Sequence, residues 1–379
     1  MRGTQTIGHA AFAGACFCVL VGCLPERKRR QSSHAELAER IASVDAQASP
    51  PLPPAVVETL RSVHEQKLEI TPPASPLQRL EFGSGRLLQA LKDNVVFRET
   101  KQGNAVAEAN VGAVRAVAHG PDGSLFALGS SGGTRLEPRS TAPKGFPHVA
   151  FFPGSLLFGD LEEPSHFYVY YAQEQQLAWY SFPTAAGSFL PIDAKFAVEG
   201  CVGALGLLRD GAFVCRTASG LLRKAPRGRR VDFKLPVGCA EPFRLLPAKR
   251  LDELFSVLRS GEVVQLRLGA GTPVIGRFQL PATPFAAAAN AEALAFLTVG
   301  RPDPGQPRVW ALLVTDFQGQ VRFRAELPAT AASADERWLQ ALVEDKNLAI
   351  SEFEPLVAVG GPAHVAVWNY AEGRQVFAR

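Results

Sequence analysis

Residues 114–138 read VRAVAHGPDGSLFALGSSGGTRLEP, and the fold is decided by this stretch. Val114 to His119 is an apolar strand-like run, Pro121-Asp122-Gly123 is a tight-turn sequence, and Leu125 to Gly129 is a second apolar run. A glycine-rich turn, Gly129-Ser130-Ser131-Gly132-Gly133, leads into a third strand that ends before Pro138. Related patterns recur at roughly forty-residue spacing to the C-terminus, and a repeat of that period predicts a radial β-propeller rather than a string of separate domains.

The 379-residue chain therefore fits one ring, because a repeat architecture grows by adding blades. Its residues are 46% apolar and 20% charged, enough to fill a large core, while 34 glycines and 29 prolines supply the turns of an all-β chain. A net charge of +4 is far from the basic excess of a dedicated nucleic-acid binder, so nucleic acid is not an expected partner.

Leu77 to Ala109 reads as four strands separated by turns at Gly83-Ser84-Gly85, Lys92-Asp93-Asn94 and Lys101-Gln102-Gly103. The quoted stretch opens the second blade. A third contains HVAFFPGSLLFG and FYVYYAQEQQLAWYSF, a fourth VGALGLLRDGAFVCRTASGLLRKA, and a fifth LDELFSVLRSGEVVQLRL. The sixth includes ALAFLTVG and RVWALLVTDFQGQVRFRAEL, and the last runs from Leu356 to Arg379 with Trp368 at a strand end. The count is seven blades, with six or eight as alternatives. Arg374 to Arg379 follows the Tyr370–Gly373 turn and is expected to be the outer strand of the last blade, and Lys67 to Ile70 is a candidate for covering that blade's edge.

The first, second and last blades resemble WD repeats, with Trp368 placed where that family carries its tryptophan. Parts of the signature are absent. No Gly-His pair precedes the inner strands, Gly132 stands where the family has a turn aspartate, and Leu136-Glu137 stands where it has Trp-Asp. The family's His-Ser-Asp-Trp network is thus missing from the second blade, and its turns are expected to be held by backbone geometry and glycine. The resemblance implies a protein-scaffolding habit for the ring.

Ahead of the repeats, residues 7–24 form an apolar run interrupted by His9 and ending in Leu20-Val21-Gly22-Cys23 before LPERKRR. This resembles a bacterial lipobox, which implies cleavage after residue 22 and a lipid on Cys23. The alternative is an uncleaved membrane helix, favoured by Arg27, Lys28, Arg29 and Arg30 on its C-terminal side. Residues 23–74 then read as a lipidated N-terminus and a partly helical stalk: Ser33 to Glu36 resembles a capping box, and residues 50–54 are PPLPP. The propeller is assigned to residues 75–379.

Beyond the leader, Cys201, Cys215 and Cys239 remain. One disulfide is possible among them, with small buried free thiols the preferred reading, and their spacing matches no zinc site. Gly129 to Gly133 satisfies Gly-x-Ser-x-Gly, but no helix follows as a nucleophile elbow requires. The histidines are scattered over different blades. Asp122, Asp210 and Asp252 recur near first turns and read as turn-making residues, not as a metal set. No cofactor or metal is expected.

Two surfaces remain as candidates. Arg223, Lys224, Arg227, Arg229 and Arg230 form the densest basic run of the ring. Tyr168, Tyr170, Tyr171, Trp179 and Tyr180 form an aromatic group of which strand alternation would bury one half and expose the other. The reading is a monomeric ring anchored by lipid in the bacterial cell envelope, binding or scaffolding envelope proteins or another envelope component without catalysis. The alternative is a propeller-type hydrolase or lactonase, which requires polar and acidic residues converging on the axial channel.

Overall fold

The computed structural model describes residues 79–147, 149, 155–160, 163–182, 191–225, 228–235, 242–268, 274–300, 309–328, 347–360 and 364–379. The leader, Cys23, the stalk, Lys67 to Ile70, Arg227 and Cys239 lie outside the described residues. All regular elements among the described residues are strands, grouped into seven four-stranded antiparallel sheets, each a meander of consecutive strands. The fold is a seven-bladed β-propeller.

The first strands of the blades are β1 (Leu80–Gly83), β5 (Val114–His119), β9 (Leu156–Gly159), β13 (Cys201–Leu207), β17 (Pro242–Pro247), β21 (Thr283–Ala289) and β25 (Asn347–Ile350). β1 touches both β5 and β25, and β5 touches β9, β13 touches β17, β17 touches β21 and β21 touches β25 around the axis. Second strands are β2 (Arg86–Ala90), β6 (Leu125–Gly129), β10 (His166–Tyr171), β14 (Phe213–Thr217), β18 (Glu253–Leu258), β22 (Leu294–Gly300) and β26 (Leu356–Gly360). Third strands are β3 (Asn94–Glu99), β7 (Gly133–Leu136), β11 (Gln176–Ser181), β15 (Gly220–Lys224), β19 (Glu262–Arg267), β23 (Val309–Thr315) and β27 (Val365–Asn369). The outer strands are β4 (Ala105–Asn110), β8 (Lys144–Phe146), β12 (Pro191–Ala197), β16 (Arg230–Lys234), β20 (Val274–Gln279), β24 (Val321–Pro328) and β28 (Arg374–Ala378).

The apolar cores lie between blades. Phe126, Leu128 and Ala118 of blade 2 meet Phe167, Val169 and Tyr171 of blade 3, and on its other side blade 3 sends Tyr168, Tyr170 and Trp179 against Phe213 and Leu222 of blade 4. Both faces of an inner strand are therefore covered. This overturns the expected alternation in blade 3: Tyr168, Tyr170, Tyr171, Trp179 and Tyr180 are all buried, so none of them offers a binding surface.

The ring closes by side-chain packing. Leu80, Phe82 and Leu87 of blade 1 share a cluster with Ala358, Val367 and Phe377 of blade 7. The Arg79 N–H donates to Asn347 Oδ1 at 3.0 Å across the same seam. Blade 7 is completed by β28, as its turn predicted, and begins with β25, ahead of Leu356.

First turns are held by more than glycine. Asp122 Oδ1 accepts the Ser124 N–H at 2.9 Å, and Asp210 Oδ1 accepts the Ala212 N–H at 3.0 Å, which is turn-making chemistry. Each carboxylate also meets an arginine on the third strand: Asp122 with Arg135 at 3.3 Å, and Asp210 with Arg223. In blade 5 the corresponding pair is Glu253 with Arg267 at 2.9 Å, while Asp252 lies 3.8 Å from Arg250. Carboxylate–arginine bridges thus span the strands of three blades, a stabilisation that the glycine-based reading did not include.

Gly123 has φ of +81°, and a Cβ there would come 2.6 Å from Cβ of Ser84 in the neighbouring blade. Gly211 has φ of +76°. Gly123→Val and Gly211→Val are each expected to cost about 1–3 kcal/mol, read as a lower urea midpoint. Unchanged midpoints for both would remove these turns from the account.

Candidate functional site: the axial mouth

The turns between first and second strands gather around one end of the axis, and side chains from five blades meet there. Ser351 Oγ accepts the N–H groups of Phe353 (3.1 Å) and Glu354 (3.2 Å), which bends the β25–β26 turn tightly. From this turn Glu352 reaches Arg209 of blade 4, whose Nη1 donates to both carboxylate oxygens at 3.1 and 2.9 Å. The Ala291 N–H of blade 6 donates to the same carboxylate at 3.2 Å. Arg209 is also fixed by a 3.2 Å bond from Nε to the Ala248 carbonyl of blade 5.

Asn290 secures the neighbouring turn. Its Oδ1 accepts the N–H groups of Glu292 and Ala293 at 2.9 and 2.8 Å, while Nδ2 donates to the Ser351 carbonyl at 2.7 Å and to the Tyr370 hydroxyl at 3.1 Å. Blades 6 and 7 are thereby joined beneath the mouth.

On the opposite side, His119 at the end of β5 places Nδ1 3.0 Å from Glu81 Oε1 on β1. The Phe353 ring meets the His119 ring edge-on, with centroids 6.2 Å apart. Burial pulls the His119 pKa down, but Glu81 through charge and hydrogen bond, together with Glu352, outweighs burial and the opposing Arg209 charge, leaving it raised. A raised folded-state pKa means the protonated imidazole favours the fold. That stabilisation is full below the unfolded value near pH 6.5 and is lost as pH rises through the folded pKa. Urea titrations from pH 5 to 9 should show this loss in the wild type and not in His119→Ala; parallel curves would remove His119 from the account.

Paired groups thus bridge blades at this end of the ring, Glu352 with Arg209 and Glu81 with His119, and Phe353 stands edge-on to the His119 ring. Phe353 remains 39% exposed and offers an apolar group to solvent in the β25–β26 turn. Among the described residues no three His, Cys, Asp or Glu side chains are grouped to hold a metal ion. Of this constellation the sequence marked only His119, and only as one of several scattered histidines. Arg209 and Glu352 are 143 positions apart, and no local motif links them.

Among the described members of the basic run, Arg229 and Arg230 are exposed and Arg223 is not. Arg223 is buried against Asp210, correcting its assignment as a surface residue. Lys224 lies over the Phe196 ring at 4.5 Å and donates to the Ala225 carbonyl at 3.2 Å, and burial lowers its pKa. Arg230 pairs with Asp232 at 2.9 Å and donates to the Glu199 carbonyl at 2.9 Å, while Arg229 is exposed. These cations are largely committed within their own blade and its neighbour. Cys201 and Cys215, on β13 and β14, are joined by a disulfide, where buried free thiols were the preferred reading. Their Cα atoms are 5.7 Å apart, next to a break in the β13–β14 register.

No protein-family model matches the chain, and no curated protein sequence matches it. Solved structures do. The β-propeller domain of Cps50 (Swd1) from Myceliophteria thermophila is similar with a TM-score of 0.55 at 12% identity, over 78% of this chain and 97% of that one. Raptor from Chaetomium thermophilum gives 0.51 at 12% identity, over 76% of this chain and 27% of that one. A streptogramin B lyase gives 0.50 at 12% identity, over 78% and 93%. At such identities the likeness concerns fold alone, and that fold is a WD-repeat-like propeller of seven blades.

Proposed function

We propose that this chain is a binding or scaffolding propeller of the bacterial cell envelope, tethered by lipid on Cys23 and acting without catalysis. The observation that carries the non-catalytic reading is the axial mouth, where Glu352 and Glu81 are engaged by Arg209 and His119 of the chain itself and an exposed Phe353 stands beside the His119 ring. A carboxylate already held by an arginine and a backbone N–H is poorly placed to act as base or ligand, whereas an exposed aromatic ring on a rigid rim suits protein recognition. The envelope reading is supported by the lipobox-like sequence and by the Cys201–Cys215 disulfide, a bond that persists in oxidising compartments.

Location is tested by palmitate labelling in a bacterial host. The wild type should incorporate label and sediment with membranes, and Cys23→Ala should do neither; equal labelling of the two proteins overturns the anchor. Binding is tested by placing a photo-crosslinking amino acid at position 353, which should yield a discrete envelope adduct. The hydrolase or lactonase alternative predicts turnover of lactones or esters that Glu352→Gln abolishes, and that result would replace the present reading.

A further inference from the structure

The seam between the first and last blades carries two arginines that face one turn. Arg98 on β3 donates Nη1 to the Gly103 carbonyl at 3.0 Å and Nε to Gln89 Oε1 at 2.9 Å. Arg379, directly after β28, brings Nη2 to 3.4 Å from the Gln102 carbonyl and 3.5 Å from Asn104 Oδ1. Two guanidinium groups from opposite ends of the propeller thus sit on successive carbonyls of the β3–β4 turn. Gly103, with φ of +74°, holds that turn against the Phe377 ring.

Neither arginine forms an ion pair with an Asp or Glu side chain among the described residues, and all the hydrogen-bond partners named above are neutral. The Nη2 edge of Arg98 and the Nε–Nη1 edge of Arg379 are left without hydrogen-bond partners there. The Arg98 pKa is lowered, first by burial and then by the Arg379 charge, with Glu108 opposing. Like charges across a junction that shares no strand pairing among the described residues weaken it, unless something neutralises both.

We propose that these two arginines form a site for a phosphate-type oxyanion, which bridges blades 1 and 7 and tightens the closure of the ring. A tetrahedral anion presents several oxygens and accepts from both guanidinium edges at once, the arrangement for which arginine forks are suited. Arg379 is exposed and Arg98 partly so, which leaves the site open to a ligand from solvent.

The test is the melting temperature of the full chain in inorganic phosphate against chloride at matched ionic strength. Glycerophosphoglycerol, a soluble diester, distinguishes a lipid-type headgroup from the free ion. The wild type should show a saturable rise of about 2–4 °C with phosphate. Arg98→Gln and Arg379→Gln should each abolish the rise, and Arg379→Gln alone should melt no lower than wild type in chloride, because it also removes the repulsion. A rise with the diester that the same variants abolish assigns the site to headgroups as well. No variant-dependent rise with either probe, or an equal rise in all three proteins, overturns the proposal.

Discussion

A chain ending at Gly373 is expected to lose the cooperative unfolding transition of the intact ring. The missing residues form β28, which pairs with β27 from Ala366↔Ala378 to Asn369↔Arg374, and Arg379 exchanges two further backbone bonds with Val365, at 2.8 and 2.9 Å. The truncation also removes Phe377 from the seam cluster and from beneath Gly103. Loss of a buried phenylalanine alone costs about 3–5 kcal/mol. The unpaired backbone of β27 adds to that, so the total approaches the whole stability of an ordinary domain, about 5–15 kcal/mol. Differential scanning calorimetry of the two lengths reads the effect directly. A truncated protein with the native melting profile would refute the assignment of blade 7. Deleting residues 1–73 should by contrast leave the ring cooperative, since the described seam contacts are made between blades 1 and 7 themselves.

Asp210→Ala should be the most damaging single substitution. The Asp210 and Arg223 side chains are 1% and 7% exposed, so removing the carboxylate strands a guanidinium inside blade 4. Breaking a buried pair from one side costs about 3–5 kcal/mol, and the lost turn cap on Ala212 adds to it. Replacing both partners, Asp210→Leu with Arg223→Met, should recover most of that loss, because the uncompensated charge is then gone. Urea unfolding of the two proteins makes the comparison. A single variant no weaker than the double would show that the pair does not carry the stability assigned to it. The same loss should also loosen Arg209, the adjacent residue, and with it the hold on Glu352.

The parts of the fold legible in the sequence were those with the clearest local patterning. The second and third strands of most blades, such as Glu253–Leu258 and Glu262–Arg267, are apolar runs split by a glycine turn, and the forty-residue recurrence gave the ring. First strands were harder. Pro242–Pro247 and Thr283–Ala289 carry register breaks and prolines, and Asn347–Ile350 is short and polar at its start. Outer strands such as Val274–Gln279 alternate exposed and half-buried residues and resemble loops in composition. The axial mouth was not legible, because its members come from six blades and meet only when the ring closes. The aromatic group of blade 3 was misread for a related reason: alternation exposes one face of a sheet that has one packed neighbour, and a propeller blade has two. Within the basic run Arg223 was misplaced, because it neutralises a turn aspartate thirteen positions earlier, a pairing that appears only once the hairpin is formed.

Because each blade is a contiguous segment with four strands of its own and, among the described residues, no strand is lent across the seam, the ring's strand pairing does not depend on where the chain is opened. A circular permutant cut at residues 280–282, between β20 and β21, and ligated from 379 to 79 by a short linker keeps every strand pair of the native sheets. The same independence bears on ancestry. In-frame duplication or loss of a single forty-residue unit leaves all remaining hydrogen-bonded ladders intact and disturbs only the interfaces of two neighbours, so a lineage built this way can change its blade number without passing through a half-paired intermediate.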